Sequence, residues 1–325
     1  MKNLLNNNII ETHNKKYFSS HKRDLDVFKN FCLKNKLNYQ GIKKKILKFK
    51  IALPSWGLGT GGTRFGRFPI DGDPLNIFQK IEDCSIVNKL VGSTPSISPH
   101  FPWDKVTDYV ELKEYAKSFD LNFDLVNSNT FQDQEGQKYS YKFGSLTNND
   151  VKIRERAIEL NLECIRIGKI LGSKGITVLI GDGSNFPGQA NFSKSLDLYL
   201  KSMKKIYEKI PKDWKLLIEH KPYEPSFYST TINDWGTSYI CAKELGPKAK
   251  CLVDLGHHLP NTNIEMIVSR LIFLKKLGGF HFNDSNYGDD DLDTGSTNPY
   301  KLFLIFLELL DDNPTRQTHY FWDFR

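Results

Sequence analysis

Nowhere in its 325 residues does the chain carry an apolar run of the roughly 18 residues that a membrane-spanning helix needs, so no membrane association is expected. The N-terminal segment MKNLLNNNIIETHNKK has too short an apolar stretch and no small-residue cleavage pattern, which argues against a secretory signal. Cysteine is scarce: Cys32, Cys84, Cys164, Cys241 and Cys251 make an odd number without CxxC spacing. Reduced thiols in a cytoplasmic protein are the plain reading. The glycine-rich segment GLGTGGTRFG (57–66) lacks the GK[ST] ending of a phosphate loop and the dinucleotide-binding pattern. It reads as a flexible lid instead.

What is present is enough for a large packed core, with 39% hydrophobic and 13% aromatic residues, and nothing points to global disorder. The length suits one α/β barrel or two ordinary domains. A formal charge of +7 invites a nucleic-acid partner, but its distribution argues otherwise. Residues 1–50 hold 13 Lys/Arg against 3 Asp/Glu, leaving 32 against 35 in the remainder. The basicity thus belongs to an N-terminal arm, where lysines usually form a solvated helix face. No nucleic acid is expected at a slightly acidic catalytic part.

Beyond that arm (1–50), residues 51–325 repeat a short apolar strand, a polar loop and a helix. Strands are predicted at 51–56, 95–100, 121–127, 175–181, 215–220, 250–255, 278–283 and 318–323. Their near-continuous apolar runs suit parallel strands buried on both faces. Asn149-Asp150 and Asn263 are placed to cap helices, Gly172 to end one and Pro299 to open one that stops at Asp311-Asp312. Eight such units predict an α/β fold of the (β/α)8 TIM-barrel type. The eighth strand runs to Arg325, so the barrel is expected to end there without an eighth helix. In the arm, Leu25, Phe28, Phe31, Leu33 and Leu37 predict an amphipathic helix over 24–37 packed outside the barrel.

In such barrels the chemistry gathers at the C-terminal ends of the strands. The fifth strand ends in Glu219-His220-Lys221, the sixth in Asp254 followed by His257-His258, the seventh in His281-Phe-Asn283-Asp284 and the eighth in Asp323. A single carboxylate at a strand end is usually a cap, and a lone histidine is usually a core residue. Three carboxylates and an imidazole on four consecutive strands are different, because each buried charge needs a partner. Hard oxygen ligands with one nitrogen suit Mn²⁺, Mg²⁺, Co²⁺ or Zn²⁺. His257 with Asp289 and Asp291 forms a second candidate set: the two aspartates, two residues apart in an extended loop, would point the same way. Glu219 would then bridge two divalent cations. Other strand ends supply Trp56, His100, Trp103, Asn127, Asn129, Asp182 and Asn185. Aromatic faces beside amide and carboxylate groups suit a sugar, although Trp56 and Trp103 serve equally well as packing residues.

The segments LPSWGLGTGGTRFGRF, SPHFPWD, NSNTFQDQ, YKFGSLTN, GDGSNFPGQ, EHKPYEPSFYST, DWGTS, LVDLGHH and GGFHFNDSNYGDDDLD, in this order between about Ile51 and Leu310, resemble the broad-specificity bacterial L-rhamnose isomerases of the xylose-isomerase-like barrel superfamily. The resemblance implies a cytoplasmic homotetramer that interconverts L-rhamnose and L-rhamnulose with Mn²⁺. It makes Glu219, Asp254, His281 and Asp323 structural-metal ligands, and His257, Asp289 and Asp291 the catalytic-metal set. Lys221 would contact the carbonyl-end oxygen of the sugar, His100 would line the pocket, and Phe65 of the lid would reach a neighbouring subunit's pocket. There are two departures. Leu179 stands where the family usually has tryptophan, and the family continues past the fourth ligand with a motif like DQSHN and a helical region. A keto-sugar epimerase, a metal-dependent nuclease using the basic arm, and an inactive truncated paralogue are the competing readings.

Overall fold

The computed structural model describes residues 7–59, 70–224, 228–310 and, for the backbone alone, 321–324. The arm forms α1 (Asn7–Lys34) and α2 (Tyr39–Lys48). Then follow β1 (Ala52–Pro54), α3 (Ile77–Val91), β2 (Ser96–Ser98), β3 (His100–Phe101), α4 (Tyr109–Ser118), β4 (Asn122–Phe123) and β5 (Val126–Asn129). The chain continues through α5 (Val151–Leu171), β6 (Gly175–Leu179), α6 (Phe192–Lys209), β7 (Lys215–Glu219), α7 (Trp235–Leu245) and β8 (Ala249–Asp254). The last described elements are α8 (Ile264–Phe273), β9 (Leu277–Phe282), α9 (Pro299–Leu310) and β10 (Phe321–Phe324).

Every strand pair is parallel, and the order β3-β5-β6-β7-β8-β9-β10-β1-β2-β4 closes on itself. The second stave is β2 plus β3 and the third is β4 plus β5, with β2 pairing β4 and β3 pairing β5. Eight staves therefore make a (β/α)8 barrel. The staves predicted as continuous at 95–100 and 121–127 are each broken in two. Pro99 has no N–H to give the ladder; its carbonyl accepts from the Asn127 backbone N–H and side-chain amide instead. The first strand also ends early, at Pro54, where Ser55–Gly57 turn into a 3₁₀ turn that presents Trp56 at the barrel mouth.

Strand alternation sorts the core. Leu125, Leu217 and Leu252 form a small apolar layer inside the barrel. Their neighbours Leu216, Ile218, Cys251 and Val253 join the main core with helix residues such as Cys241, Ala242, Ile267 and Leu271. Two residues beyond Leu217 and Leu252 on the same strand face come Glu219 and Asp254, so the inward row that begins apolar ends in carboxylates. The helices end as their sequences direct. The Asp150 carboxylate accepts from the Lys152 amide to start α5, Gly172 at φ +93° ends it, and the Asn263 side chain caps α8.

The arm departs from expectation. Its first helix begins at Asn7, not near residue 24, and runs 28 residues. Leu25, Phe28, Phe31, Leu33 and Leu37, the side chains expected to pack, are exposed. Burial in the arm falls on Ile10 and Cys32 instead. The arm joins the barrel at its end, where the Phe49 ring lies edge-on to Phe306 of α9. No helix among the described residues is long and apolar enough to cross a membrane.

Gly278 shows how tightly the inner layer is packed. A Cβ there would lie 2.4 Å from Leu217 Cδ2 and 2.6 Å from Lys250 Cβ. Gly278→Ala is expected to lower stability by about 1–3 kcal/mol through overpacking. Urea denaturation followed by far-UV circular dichroism reads this directly, and an unchanged midpoint contradicts the packing described.

Candidate metal and sugar site

Four adjacent staves deliver the candidate ligands in register. Asp254 pairs with His281, and His281 with Asp323, across β8, β9 and β10. His281 Nδ1 lies 3.0 Å from Glu219 Oε1 and 3.4 Å from Asp254 Oδ2. His257, just beyond β8, places Nδ1 3.3 Å from the same Glu219 oxygen and 3.1 Å from the His220 carbonyl. Its Nε2 lies 3.0 Å from Asp289 Oδ1. Glu219, Asp254 and His257 each offer a ligand atom within 4.8 Å of the others. Asp323 shares this register through its backbone, while its side chain lies outside the described residues, as does Phe65.

The groups that hold these side chains in place come from the same loops. Asp254 Oδ1 accepts from the Asn283 amide (2.9 Å) and the Gly256 N–H (2.9 Å), which turns Oδ2 toward the histidines. Lys221 Nζ sits 2.5 Å from Asp289 Oδ2 and also pairs with the Glu224 carboxylate. Asp289 and Asp291 are not in an extended loop: both take left-handed conformations, at φ +54° and +49°. They consequently face different partners, Asp289 toward Lys221 and His257, Asp291 toward the Asn283 amide at 3.0 Å. Aspartate tolerates this region better than most residues. Asp290 between them binds its own loop, accepting from Ser285 Oγ (2.5 Å) and the Asn286 N–H (3.0 Å).

The electrostatics follow from burial among opposite charges. Burial alone would raise the Glu219 carboxyl, but His281 and His257 overturn that and hold it well below the usual range. Burial would lower the His257 imidazole, yet Asp254, Asp289 and Glu219 push it up to about 10. His281 likewise rises to about 10, against burial, through Glu219 and Asp254. Burial also opposes the Lys221 charge, and Asp289 and Glu224 raise it all the same. Four buried carboxylates (Glu219, Glu224, Asp254, Asp289) thus face Lys221, His257 and His281, whose protons supply the compensating charge. Oxygen and imidazole donors in this proportion fit a divalent cation, which would displace the imidazole protons.

Beside the carboxylates a cavity of about 30 Å³ is lined by Trp56, His100, Asn127, Ser128, Phe131, Thr177, Leu179, Glu219 and His281. Trp56 stands edge-on to both His100 (5.4 Å between ring centroids) and His281 (5.5 Å). His100 stacks on Trp103 at 4.2 Å, and Trp103 is not itself among the lining residues. Thr177 Oγ1 is buried with no hydrogen-bond partner among the described residues, a polar atom suited to a hydroxylated ligand. Asn185 is not brought in: it is exposed in the loop after β6, where its N–H donates to Gln189 Oε1. Asp182 is buried but committed, accepting from the backbone and hydroxyl groups of Ser145 and Thr147. Asn129 accepts with its side-chain oxygen from the amides of Phe131 and Gln132 and is not itself a lining residue. Glu224, Phe131 and Thr177 were not singled out from sequence, and Asn283 was noted only as a strand-end residue with no role. Of these, only Glu224 gave a signal, a carboxylate one helical turn's spacing after Lys221.

Comparison with known proteins agrees with this architecture. The family model described as xylose isomerase-like TIM barrel matches residues 91–310. A probable sugar isomerase of Rhizobium meliloti (strain 1021) is 55% identical over 308 residues, 95% of this chain and 72% of the relative. Another, from Mesorhizobium japonicum, is 63% identical over 270 residues, 83% of this chain and 63% of that protein. The chain therefore spans only about two thirds to three quarters of these relatives. Among solved structures, a D-tagatose 3-epimerase-like protein superposes with a TM-score of 0.62 at 14% identity, covering 85% of this chain and 89% of that one. The D-allulose 3-epimerase of a Methylomonas species gives 0.60 at 14%, covering 85% and 84%. At these identities the likeness is one of fold.

The charge balance has a measurable consequence for metal-free protein. The folded values of His257 and His281, about 10, lie above the ordinary 6.5. Their ion pairs contribute fully below the unfolded value, and the contribution is lost as pH rises through the folded one. Chelator-treated protein is expected to melt at falling temperature from about pH 7 to about pH 10, and protein with Mn²⁺ to fall less. A melting temperature that stays flat or rises with pH in the chelated sample would contradict the charge assignment.

Proposed function

The chain belongs to the xylose isomerase-like TIM-barrel family, and from that premise we propose that it catalyses reversible aldose–ketose isomerisation, with L-rhamnose and L-rhamnulose as its pair. The observation that carries the proposal is an aromatic-walled cavity with a few polar groups, which shares Glu219 and His281 with the buried carboxylate–histidine cluster. The metals in this reading are two divalent cations, Mn²⁺ first: one would be held by Glu219, Asp254 and His281 with Asp323 at their register, the other by His257 and Asp289, while Asp291, expected as a third ligand there, turns to the Asn283 amide. When bound, they supply Lewis acidity to the two oxygens of an open-chain sugar.

The chain's own groups do the rest. Trp56 and Phe131 present apolar ring faces to the C–H side of the sugar, while His100 and Thr177 meet its hydroxyls. His257 Nδ1 faces the His220 carbonyl, which leaves Nε2 directed toward Asp289 and fixes the ring's orientation. Lys221, kept charged by Asp289 and Glu224, donates to the carbonyl-end oxygen as negative charge develops there. Isomerisation moves one hydrogen from C2 to C1 and one proton from O2 to O1; in the proton-transfer route Asp323, at its register position beside His281, is the base. The cavity, about 30 Å³, is small beside the roughly 300–1,000 Å³ of ordinary ligand sites.

A keto-sugar epimerase is the second reading, favoured by the solved structures, whose likeness extends to the fold. The relatives at 55% and 63% identity favour the first. Purified protein supplied with Mn²⁺ is expected to convert L-rhamnose to L-rhamnulose, to lose this activity on dialysis against chelator, and to regain it with Mn²⁺. Interconversion of two ketoses without aldose formation would select the epimerase reading. Lys221→Met is expected to lower kcat by roughly 10²–10³-fold, the usual effect of losing one preorganised donor; a parental kcat would remove Lys221 from the chemistry.

A further inference from the structure

Behind the wall of the cavity lies a buried ion pair that contacts none of the carboxylate–histidine cluster. Asp104, 1% exposed, follows the second stave, and Lys80, 4% exposed, comes from the first turn of α3. Lys80 Nζ is 3.0 Å from Asp104 Oδ1. The other oxygen, Oδ2, accepts both from the Ser55 hydroxyl and from the His100 backbone N–H, the latter at 2.8 Å. One carboxylate thus gathers donors from α3, from the turn after β1 and from the start of β3.

The two residues that it clamps stand at the cavity. Ser55 is wholly buried and immediately precedes Trp56, and His100 is itself a lining residue. Neither Asp104 nor Lys80 lines the cavity, so any effect on a ligand must pass through Trp56 and His100. Fold stability alone gives little reason for this arrangement. Replacing a buried ion pair by apolar residues of similar size is often neutral or stabilising, because both charges must be desolvated. What an apolar pair lacks is an acceptor for two donors on different staves, and an unmet buried N–H is costly.

We propose that Asp104 and Lys80 are positioning residues for the sugar pocket: the carboxylate locks Trp56 and His100 into one wall, and the lysine supplies the charge that lets the carboxylate stay buried. The proposal rests on the isomerase reading for its substrate, but the clamp itself is a claim about two strand ends and is testable without turnover.

Three variants separate the roles. Lys80→Met/Asp104→Leu removes the charges and the acceptor together, leaving no lone buried ion. Lys80→Met/Asp104→Asn removes the charges and keeps an oxygen that accepts from Ser55 and His100. Ser55→Ala deletes one donor only. Hydrogen–deuterium exchange of peptides covering 52–59 and 98–104 reads the clamp, while KM, kcat and Mn²⁺ affinity read the pocket. The Leu double variant is expected to exchange faster in both peptides and to raise KM about tenfold, with kcat and Mn²⁺ affinity within about threefold of parent. The Asn double variant is expected to return KM to within about twofold, and Ser55→Ala to raise it about threefold.

Parental KM and parental exchange in the Leu double variant overturn the proposal. So does equal impairment in the Leu and Asn variants, which would mean that the charge pair serves the fold at large. Should the Leu variant fail to fold, Ser55→Ala decides on the same two readouts. If the parent turns over no sugar, the isomerase reading fails separately, and unchanged exchange at 98–104 still overturns the clamp.

Discussion

Glu219 Oε1, 3.0 Å from one imidazole and 3.3 Å from another just above the barrel's apolar layer, is the contact on which the site depends. A carboxylate buried this deeply survives as an anion only while positive charge stays beside it. His281 and His257 supply that charge, and each is in turn held by a second acid, Asp254 or Asp289. The cluster is therefore a chain of mutual obligations extending over β7, β8, β9 and the loop after β9. No member is isolated electrostatically, and none can lose its charge without altering its neighbour's.

The barrel makes such a cluster affordable. Inside it the apolar layer of Leu125, Leu217 and Leu252 seals the lower interior, so the ionised groups are confined to the row above, where strand ends converge from several directions. Parallel pairing brings Asp254 level with His281, and His281 level with Asp323, without any loop having to reach. The loops then add what the strands cannot. Lys221 and Glu224 come from beyond β7, His257 from beyond β8, and Asp289 from beyond β9.

Much of this was readable in the residues. Staves β6 to β9 are buried on both faces and so leave near-continuous apolar runs, and the ionisable residues that interrupt those runs at Glu219, Asp254 and His281 stood out against them. Features set by short-range backbone detail were less legible. Pro99 splits a stave that its flanking residues would continue, and the left-handed conformations of Asp289 and Asp291 turn two carboxylates expected to act alike toward different partners. Pairings across long separations were not legible at all. Nothing local to Lys80 announces Asp104, and Asn283 looks like any strand-end amide until the fold sets it between Asp254 and Asp291. The arm misled for another reason: an apolar stripe shows which face would be buried, not whether a partner surface is there.

The loop after β9 carries a further implication through Asp290. Its carboxylate is spent on Ser285 and on amides of the same loop, while its neighbours on either side turn outward from that small knot to Lys221, His257 and Asn283. The loop is thus tied by a residue that has no part in the carboxylate–histidine cluster. The loop therefore takes its shape from contacts that a ligand need not touch. Substitutions at Asp289 or Asp291 would reach that outline only through the left-handed backbone these two residues occupy.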